Sequence, residues 1–174
     1  PVFYIITVAH LSSSVSAVTL ALHLVPKLTD IGFSLGTAGI VVLVYTAIAL
    51  PAQFTAGYIA DRLPKPPVIF VLLILQSTGI IVLAWAGNAP MVYLFAILYG
   101  IGFGGRLPLL TAIRGEYFGR KAFATIMGIS QFPSSLLMVG APLFAGYMFD
   151  TTGSYTVPFA MFATLGFSGA ILML

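Results

Sequence analysis

Long apolar stretches, separated by short turn or charge signals, dominate the pattern along this chain. A helix that crosses a bilayer needs about 20 predominantly apolar residues, and six stretches are predicted to meet that length. They lie at about 2–25, 35–60, 68–86, 91–113, 122–149 and 155–174. Strands of a membrane barrel alternate apolar and polar residues over about ten positions, whereas these stretches are longer and apolar on every side. The pattern predicts an all-α membrane protein, with residues 1–174 forming a single six-transmembrane-helix bundle.

The composition agrees with lipid surroundings. Hydrophobic residues make up 60% of the 174 residues, charged residues only 6%, and the mean hydropathy is +1.11. A soluble domain uses roughly 25% charged residues to cover its surface. The net charge of +3 does not indicate a nucleic-acid partner, because the basic residues cluster at predicted helix ends instead of on one solvated face. The lipid bilayer is therefore the expected partner.

The distribution of basic residues between the two sides predicts an orientation. One side holds only Lys27, whereas the connections after the second and fourth helices hold Arg62, Lys65, Arg114, Arg120 and Lys121. The richer side is expected to be cytoplasmic, which places both termini of this segment there, in a plasma or bacterial inner membrane. The chain starts with Pro1 and not Met, so we expect a fragment or a processed piece.

A short polar motif connects the second and third predicted helices. Gly57, Asp61, Arg62 and Lys65 stand at the spacing Gly-x-x-x-Asp-Arg-x-x-Lys. This motif resembles the loop signature of the major facilitator superfamily, with Pro64 where that signature usually has Gly. The resemblance implies the carboxyl-terminal half of a twelve-helix secondary transporter, and a gating role for the motif. The alternative is that these residues only anchor the topology.

Two further stretches resemble one branch of that superfamily. Residues 23–34 look like the start of the second half in monocarboxylate and oxalate–formate transporters, and residues 146–155 resemble their last loop. The resemblance implies transport of a small organic anion, a monocarboxylate or dicarboxylate, by alternating access with proton coupling or anion exchange. It also implies an amino-terminal six-helix half as partner. No cofactor or metal is expected.

Arg106 is the candidate substrate anchor. It lies well inside the fourth predicted helix, where a cation costs about 2.5–3.5 kcal/mol on insertion scales and normally faces a cavity or a partner. Its guanidinium can bind a carboxylate through two hydrogen bonds. Tyr99 shares its helical face and is a second candidate. The alternative is that Arg106 extends to the cytoplasmic interface, only about two turns before Arg114.

The first helix contributes the remaining candidates. His10 lies one turn from Ser13 and Ser14, and both His10 and Ser14 are predicted to line the substrate site. An imidazole that titrates near neutral pH can also take part in proton coupling. The alternative is a histidine hydrogen-bonded to a serine across the bundle. In the fourth helix, the spacing of Gly100 and Gly104 predicts close helix packing.

An enzyme is disfavoured, because no nucleophile or zinc-helix motif is present and the acidic residues fall at or outside predicted helix ends. Three alternatives to an anion carrier stay open: a six-helix channel, a half-transporter that pairs with a second copy, and a major facilitator carrier of a non-anionic solute.

Overall fold

The computed structural model describes residues 2–174, apart from the side chain of Arg120. The helices are α1 (Val2–Asp30), α2 (Leu35–Ala60), α3 (Lys65–Ala84), α4 (Ala89–Gly119), α5 (Lys121–Thr152) and α6 (Thr156–Ile171). No strand occurs within these described residues. The predicted all-α, six-helix bundle is therefore confirmed.

Within residues 2–174, helices α1 to α5 are long and apolar enough to cross a membrane, and α6 is a shorter apolar helix. Helix α6 has 16 residues, shorter than the predicted span 155–174. At a rise of about 1.5 Å per residue it is about 24 Å long. Residues 172 and 173 form a turn after this helix.

Helix α1 ends later than predicted, because Pro26 does not stop it. Pro26 was expected to stop this helix at Val25, but the helix continues through Pro26 to Asp30. An internal proline removes only one helical hydrogen bond, and membrane helices tolerate that loss where neighbouring groups compensate. The residues after Pro26 are held by packing, since Lys27 and Leu28 are both buried.

Proline also moves the start of α3. The prediction began this helix at residue 68, after two prolines, but it begins at Lys65. Pro66 and Pro67 occupy the first turn, where helical N–H groups have no partner in any case, so proline is well suited to that position. The prolines therefore open α3 instead of preceding it.

The boundary between α4 and α5 is much narrower than the predicted polar loop at 114–121. Helix α4 runs on to Gly119, whose φ of 68° and ψ of 174° break the helix. Glycine adopts this left-handed region without the steric cost that a Cβ would bring. Because the helix continues past residue 113, Arg114 becomes a helical residue that faces the bundle.

Helix α4 lies at the centre of the bundle, and its glycines allow the backbones of α2 and α3 to approach it closely. A Cβ on Gly100 would lie 2.7 Å from the Tyr45 carbonyl oxygen, and one on Gly104 would lie 2.6 Å from the Ala49 Cα, both in α2. Gly102 packs equally closely against the backbone of α3. The close approach predicted from the glycine spacing is therefore confirmed.

Helices α2 and α5 form the least covered part of the bundle. In their most apolar windows only 17% and 11% of residues are buried, against 50–56% for α1, α3 and α4. Large apolar side chains of α5 are exposed, among them Phe132, Val139 and Leu143. These surfaces require lipid or another part of the protein as their environment.

Candidate functional site

Buried polar side chains gather at one level of the bundle, where α1, α3 and α4 meet. Two apolar clusters flank this level: one contains Leu20 and Tyr99, and the other contains Ile6 and Leu110. The polar side chains between them are Ser12, Ser13, Ser14, Ser16, Gln76, Ser77 and Arg106. We call this set the polar layer. A polar layer inside a membrane bundle marks the place where a hydrophilic solute can be bound.

Arg106 is 1% exposed and ends inside the bundle. Its Nη2 donates to the main-chain oxygen of Ser13 at 3.2 Å, and its Cζ lies 5.4 Å from the centre of the Phe103 ring, within cation–π range. The Nε and Nη1 groups have no hydrogen-bond partner among the described residues. The Arg106 side chain therefore lies between helices and not along the surface of the bundle, and its guanidinium retains donors for an additional acceptor.

Gln76 is the polar-layer residue that sequence reasoning missed. Its Nε2 donates to the same Ser13 oxygen at 3.1 Å, while its Oε1 is buried without a recorded partner. The sequence feature that could have indicated Gln76 is its side-chain amide, which stands within the otherwise apolar α3. A neutral side chain carries little weight in charge patterns, so that signal was weak.

Arg114 was also missed, because the polar stretch around it was interpreted as a loop. The side chain is 1% exposed, with Nη1 donating to the Leu110 oxygen of its own helix at 2.9 Å. Its Nη2 has no recorded partner. Because the predicted helix ended at residue 113, Arg114 was not recognised as a second buried guanidinium.

His10 is half-buried, and its imidazole lies within electrostatic range of both Arg106 and Arg114. Gln131 of α5 is the neighbouring polar side chain. The His10 Nδ1 is buried without a recorded hydrogen-bond partner. His10 therefore connects the two guanidinium groups from the side of α1.

The expected hydrogen bond between His10 and a serine is not formed. The Ser13 hydroxyl instead donates to main-chain oxygens of its own helix, those of Ala9 at 2.9 Å and His10 at 3.0 Å. Serine hydroxyls in helices commonly bond back to the preceding turn in this way. Ser14, one turn after His10, is 5% exposed.

Tyr99 is 2% exposed and lies in an aromatic cluster. Its ring stacks on Phe103 with centroids 5.4 Å apart and meets Tyr45 edge-on at 5.3 Å. The Tyr99 ring therefore packs against Phe103, the same ring that lies 5.4 Å from the Arg106 Cζ.

The polar layer contains the cation Arg106 but no carboxylate. The acidic residues Asp30, Asp61, Glu116 and Asp150 lie at helix ends or in turns. Among the described side chains, the recorded ion pair joins Lys65 and Glu116. A buried cation is costly unless an anion or several acceptors compensate it. Arg106 and Arg114 therefore each keep N–H donors that no carboxylate among the described residues satisfies.

The motif residues lie together at one end of the bundle. Asp61 caps α2, and its N–H donates to the Gly57 oxygen at 3.0 Å. Arg62 turns back on α2, with Nη1 3.1 Å from the Tyr58 oxygen and Cζ 3.5 Å from the Tyr58 ring centre. These contacts terminate α2 and keep the Arg62 charge at the surface.

Lys65 joins three helices at that end. Its Nζ donates to the Ala60 oxygen at the end of α2 at 3.3 Å and forms an ion pair with Glu116 of α4. Glu116 lies in the stretch 114–121 that was predicted to be a loop, where Arg114 and Arg120 would be its neighbours. It pairs with Lys65 instead, Arg114 is turned into the bundle, and the Arg120 side chain lies outside the described residues.

These features define a multi-pass membrane protein built as an α-helical bundle with a buried polar layer. The profile of the Major Facilitator Superfamily matches residues 2–174, so the chain belongs to that superfamily of carriers and is not an enzyme. The chain is 28% identical over 142 residues to monocarboxylate transporter 13 of Bos taurus, covering 80% of this chain and 33% of the relative. It is 24% identical over 163 residues to monocarboxylate transporter 12 of Rattus norvegicus, covering 91% and 34%. The predicted family and its monocarboxylate-transporter resemblance are confirmed.

A bacterial relative and a solved structure complete the comparison. The uncharacterized transporter YycB of Bacillus subtilis is 30% identical over 132 residues, covering 75% of this chain and 33% of the relative. The POT family transporter PepTSo superimposes with a TM-score of 0.86 at 19% identity, covering 98% of this chain and 36% of that one. The similarity to PepTSo shows the fold. The chain spans about a third of the length of each of these relatives.

Proposed function

We propose that this bundle works as one half of a secondary transporter that moves a small organic anion, a monocarboxylate or dicarboxylate, by alternating access. Coupling is to protons or to exchange against a second anion. The observation that carries the proposal is the buried guanidinium group of Arg106, which retains two unpartnered N–H donors in a polar layer that contains no carboxylate. Arg114, further along α4, is a second buried guanidinium with an unpartnered donor.

Arg106 binds the substrate carboxylate in this proposal. Hydrogen bonds between a guanidinium and a carboxylate are roughly twice as strong as neutral ones. Inside a low-dielectric bundle, an anion that accepts from the unpartnered Arg106 donors is bound more favourably than a neutral solute of similar size. The names of the two monocarboxylate transporter relatives support the same substrate class.

The other site residues take supporting parts. His10 carries the proton in the proton-coupled form of the proposal, since its imidazole is partly accessible and a substrate carboxylate bound beside it would favour the imidazolium form. Tyr99 positions Phe103 beneath Arg106, and Ser14 lines the site one turn from His10. Only His10 and Arg106 are assigned direct contact with the substrate.

The motif of Gly57, Asp61, Arg62 and Lys65 is proposed to control opening at the cytoplasmic side. Lys65 supports this role, because its bonds to Ala60 and Glu116 tie together the ends of α2, α3 and α4. The basic residues at this end support its cytoplasmic placement and a plasma or bacterial inner membrane.

An amino-terminal six-helix half is the proposed partner. The relatives are about three times as long as the match, and α2 and α5 leave wide apolar faces uncovered. In transporters built from two repeats, the substrate site lies between the halves near the bilayer midplane. The polar layer would then form one wall of that site.

Uptake of labelled lactate, formate and oxalate into proteoliposomes that contain the full-length protein tests the function. Saturable uptake is expected, with a loss of at least about tenfold in Arg106→Ala because a charge-assisted hydrogen bond is removed. Lys121→Gln, which removes an exposed charge at the end of the bundle where α5 begins, is the matched control and should transport normally.

Other uptake results would favour one of the alternative functions or a different site. Uptake that rises linearly without saturation would favour a channel. No uptake of any of the three anions, with the protein correctly inserted, would contradict the anion assignment and favour a carrier of a non-anionic solute. Uptake that survives Arg106→Ala would remove Arg106 from the site.

A further inference from the structure

We propose that Arg114 and His10 form a second binding position for the same carboxylate, displaced from Arg106 toward the end of the bundle where α4 ends. The inference rests on the proposed function and adds a step to it. An anion released by Arg106 would be held at Arg114 before it leaves, or would stop there first when it enters from that end.

The position of Arg114 supports this step. It follows Arg106 by eight residues on the same helix, about 12 Å along the axis. Its side chain is 1% exposed, and Nη1 is held by the Leu110 oxygen one turn earlier, which leaves Nη2 without a recorded partner. A guanidinium buried in this way has one arm fixed and one arm available for an anion.

His10 links the two positions from the opposite helix. Its imidazole lies within electrostatic range of Arg114 and Arg106, and its Nδ1 is buried without a recorded partner. The imidazole can donate to an anion at either position when Nδ1 carries a proton. The path between the guanidinium groups is therefore not entirely apolar.

Gln131 indicates where this position opens. It neighbours His10 from α5, and its side chain is exposed on the face of the bundle that α5 leaves uncovered. An anion near His10 would thus lie between α1 and α5, at the edge of the proposed contact with the amino-terminal half. The Arg106 position is more enclosed, between α1, α3 and α4.

Substitutions at the two positions should affect transport from the two sides of the membrane differently. The KM measured with substrate offered from each side can detect this difference. In right-side-out and inside-out vesicles with the full-length protein, Arg114→Gln should raise the KM for formate about tenfold when formate is offered from the side where α4 ends. The KM from the opposite side should change less than about twofold. Arg106→Gln should raise the KM from both sides, and Lys121→Gln should leave the KM from either side unchanged.

Arg114→Lys keeps the charge but loses the planar arrangement of donors, so a smaller rise on the same side is expected. This variant carries the test if Arg114→Gln fails to insert. Equal changes from both sides, or no change in KM, would overturn the second position while leaving the Arg106 site intact. Absence of carboxylate uptake in the unaltered protein would overturn the proposed function and this inference together.

Discussion

Gln76 of α3 and Arg106 of α4 donate hydrogen bonds to one and the same acceptor, the main-chain oxygen of Ser13 in α1, at 3.1 and 3.2 Å. In a regular helix that oxygen also accepts the N–H of Ala17, although a carbonyl offers only two lone pairs. Three donors therefore compete for it. With Gln76 able to keep the Ser13 oxygen satisfied, Arg106 can release that oxygen at little cost to bind the carboxylate of the proposed substrate.

Replacing Gln76 with glutamate should convert this shared arrangement into an internal ion pair. The new carboxylate would lie beside Arg106 and supply the acceptor that the guanidinium otherwise lacks, so the midpoint of thermal unfolding in detergent should rise. The same ion pair should raise the KM for a transported carboxylate at least about tenfold, or about 1.4 kcal/mol, because the substrate must displace it.

Gln76→Leu is the matched control for that variant. It removes one donor to Ser13 and should lower the free energy of unfolding by about 1 kcal/mol without placing a charge near Arg106. Its KM should rise far less than that of Gln76→Glu, because only the help that Gln76 gives Arg106 in releasing the Ser13 oxygen is lost. An unchanged KM in Gln76→Glu would contradict the placement of the substrate at Arg106.

Gly104→Ala should disrupt the contact between α4 and α2. The added Cβ would lie 2.6 Å from the Ala49 Cα, and backbone at that distance cannot move aside as a side chain can. Overpacking of this kind typically costs about 1–3 kcal/mol, measured here as a lower yield of folded protein and a lower unfolding temperature. Gly39→Ala, which meets nothing within 4 Å in α2, should be tolerated, and equal losses in both variants would argue against the packing explanation.

His23 holds three helices together at the opposite end of the bundle from Lys65. Its Nε2 lies 3.0 Å from the Pro142 oxygen and its Nδ1 lies 3.2 Å from the Tyr155 hydroxyl. Since a carbonyl only accepts, Nε2 carries the hydrogen and Nδ1 of the neutral ring accepts from Tyr155. Burial raises the pKa of the Tyr155 phenol, with Asp30 and Asp150 adding to the effect, so the phenol stays protonated at physiological pH.

Tyr155→Phe removes that donor while keeping the ring stacked on Phe149. The free energy of unfolding should fall by about 1 kcal/mol, the usual net contribution of a hydrogen bond, as measured by thermal unfolding near neutral pH. Tyr147→Phe, at a tyrosine of α5 that is 66% exposed, should have little effect. A comparable loss in the two variants would exclude the His23 bond as the cause.

The ion pair between Lys65 and Glu116 should contribute little to stability and more to gating. Glu116 is exposed, and pairs of this type are worth below about 1 kcal/mol, so a double-mutant cycle with Lys65→Met and Glu116→Gln should give a small, salt-sensitive coupling energy. Transport rates should change more than unfolding temperature. A large coupling energy in stability with unaltered transport would assign the pair a purely structural role.

Much of the fold follows from the sequence alone, because the features involved are local. An uncharged apolar run of sufficient length must form a helix in lipid, where every backbone group needs an internal partner. The boundaries of α2 at 35–60, the connection at 61–64 and the family motif were therefore predictable. Arg106 was predictable as a candidate because any charge inside such a run is conspicuous.

Tertiary structure alone decided which polar groups meet. Whether Arg114 lies in a loop or faces the bundle depends on where α4 breaks, and that is set by the backbone at Gly119. The roles of Gln76 and the Ser13 oxygen depend on how closely α3 and α4 approach α1. In a uniformly apolar helix the pattern does not say which face is inside, because lipid and protein interior are equally apolar, so only packing between helices determines the polar layer.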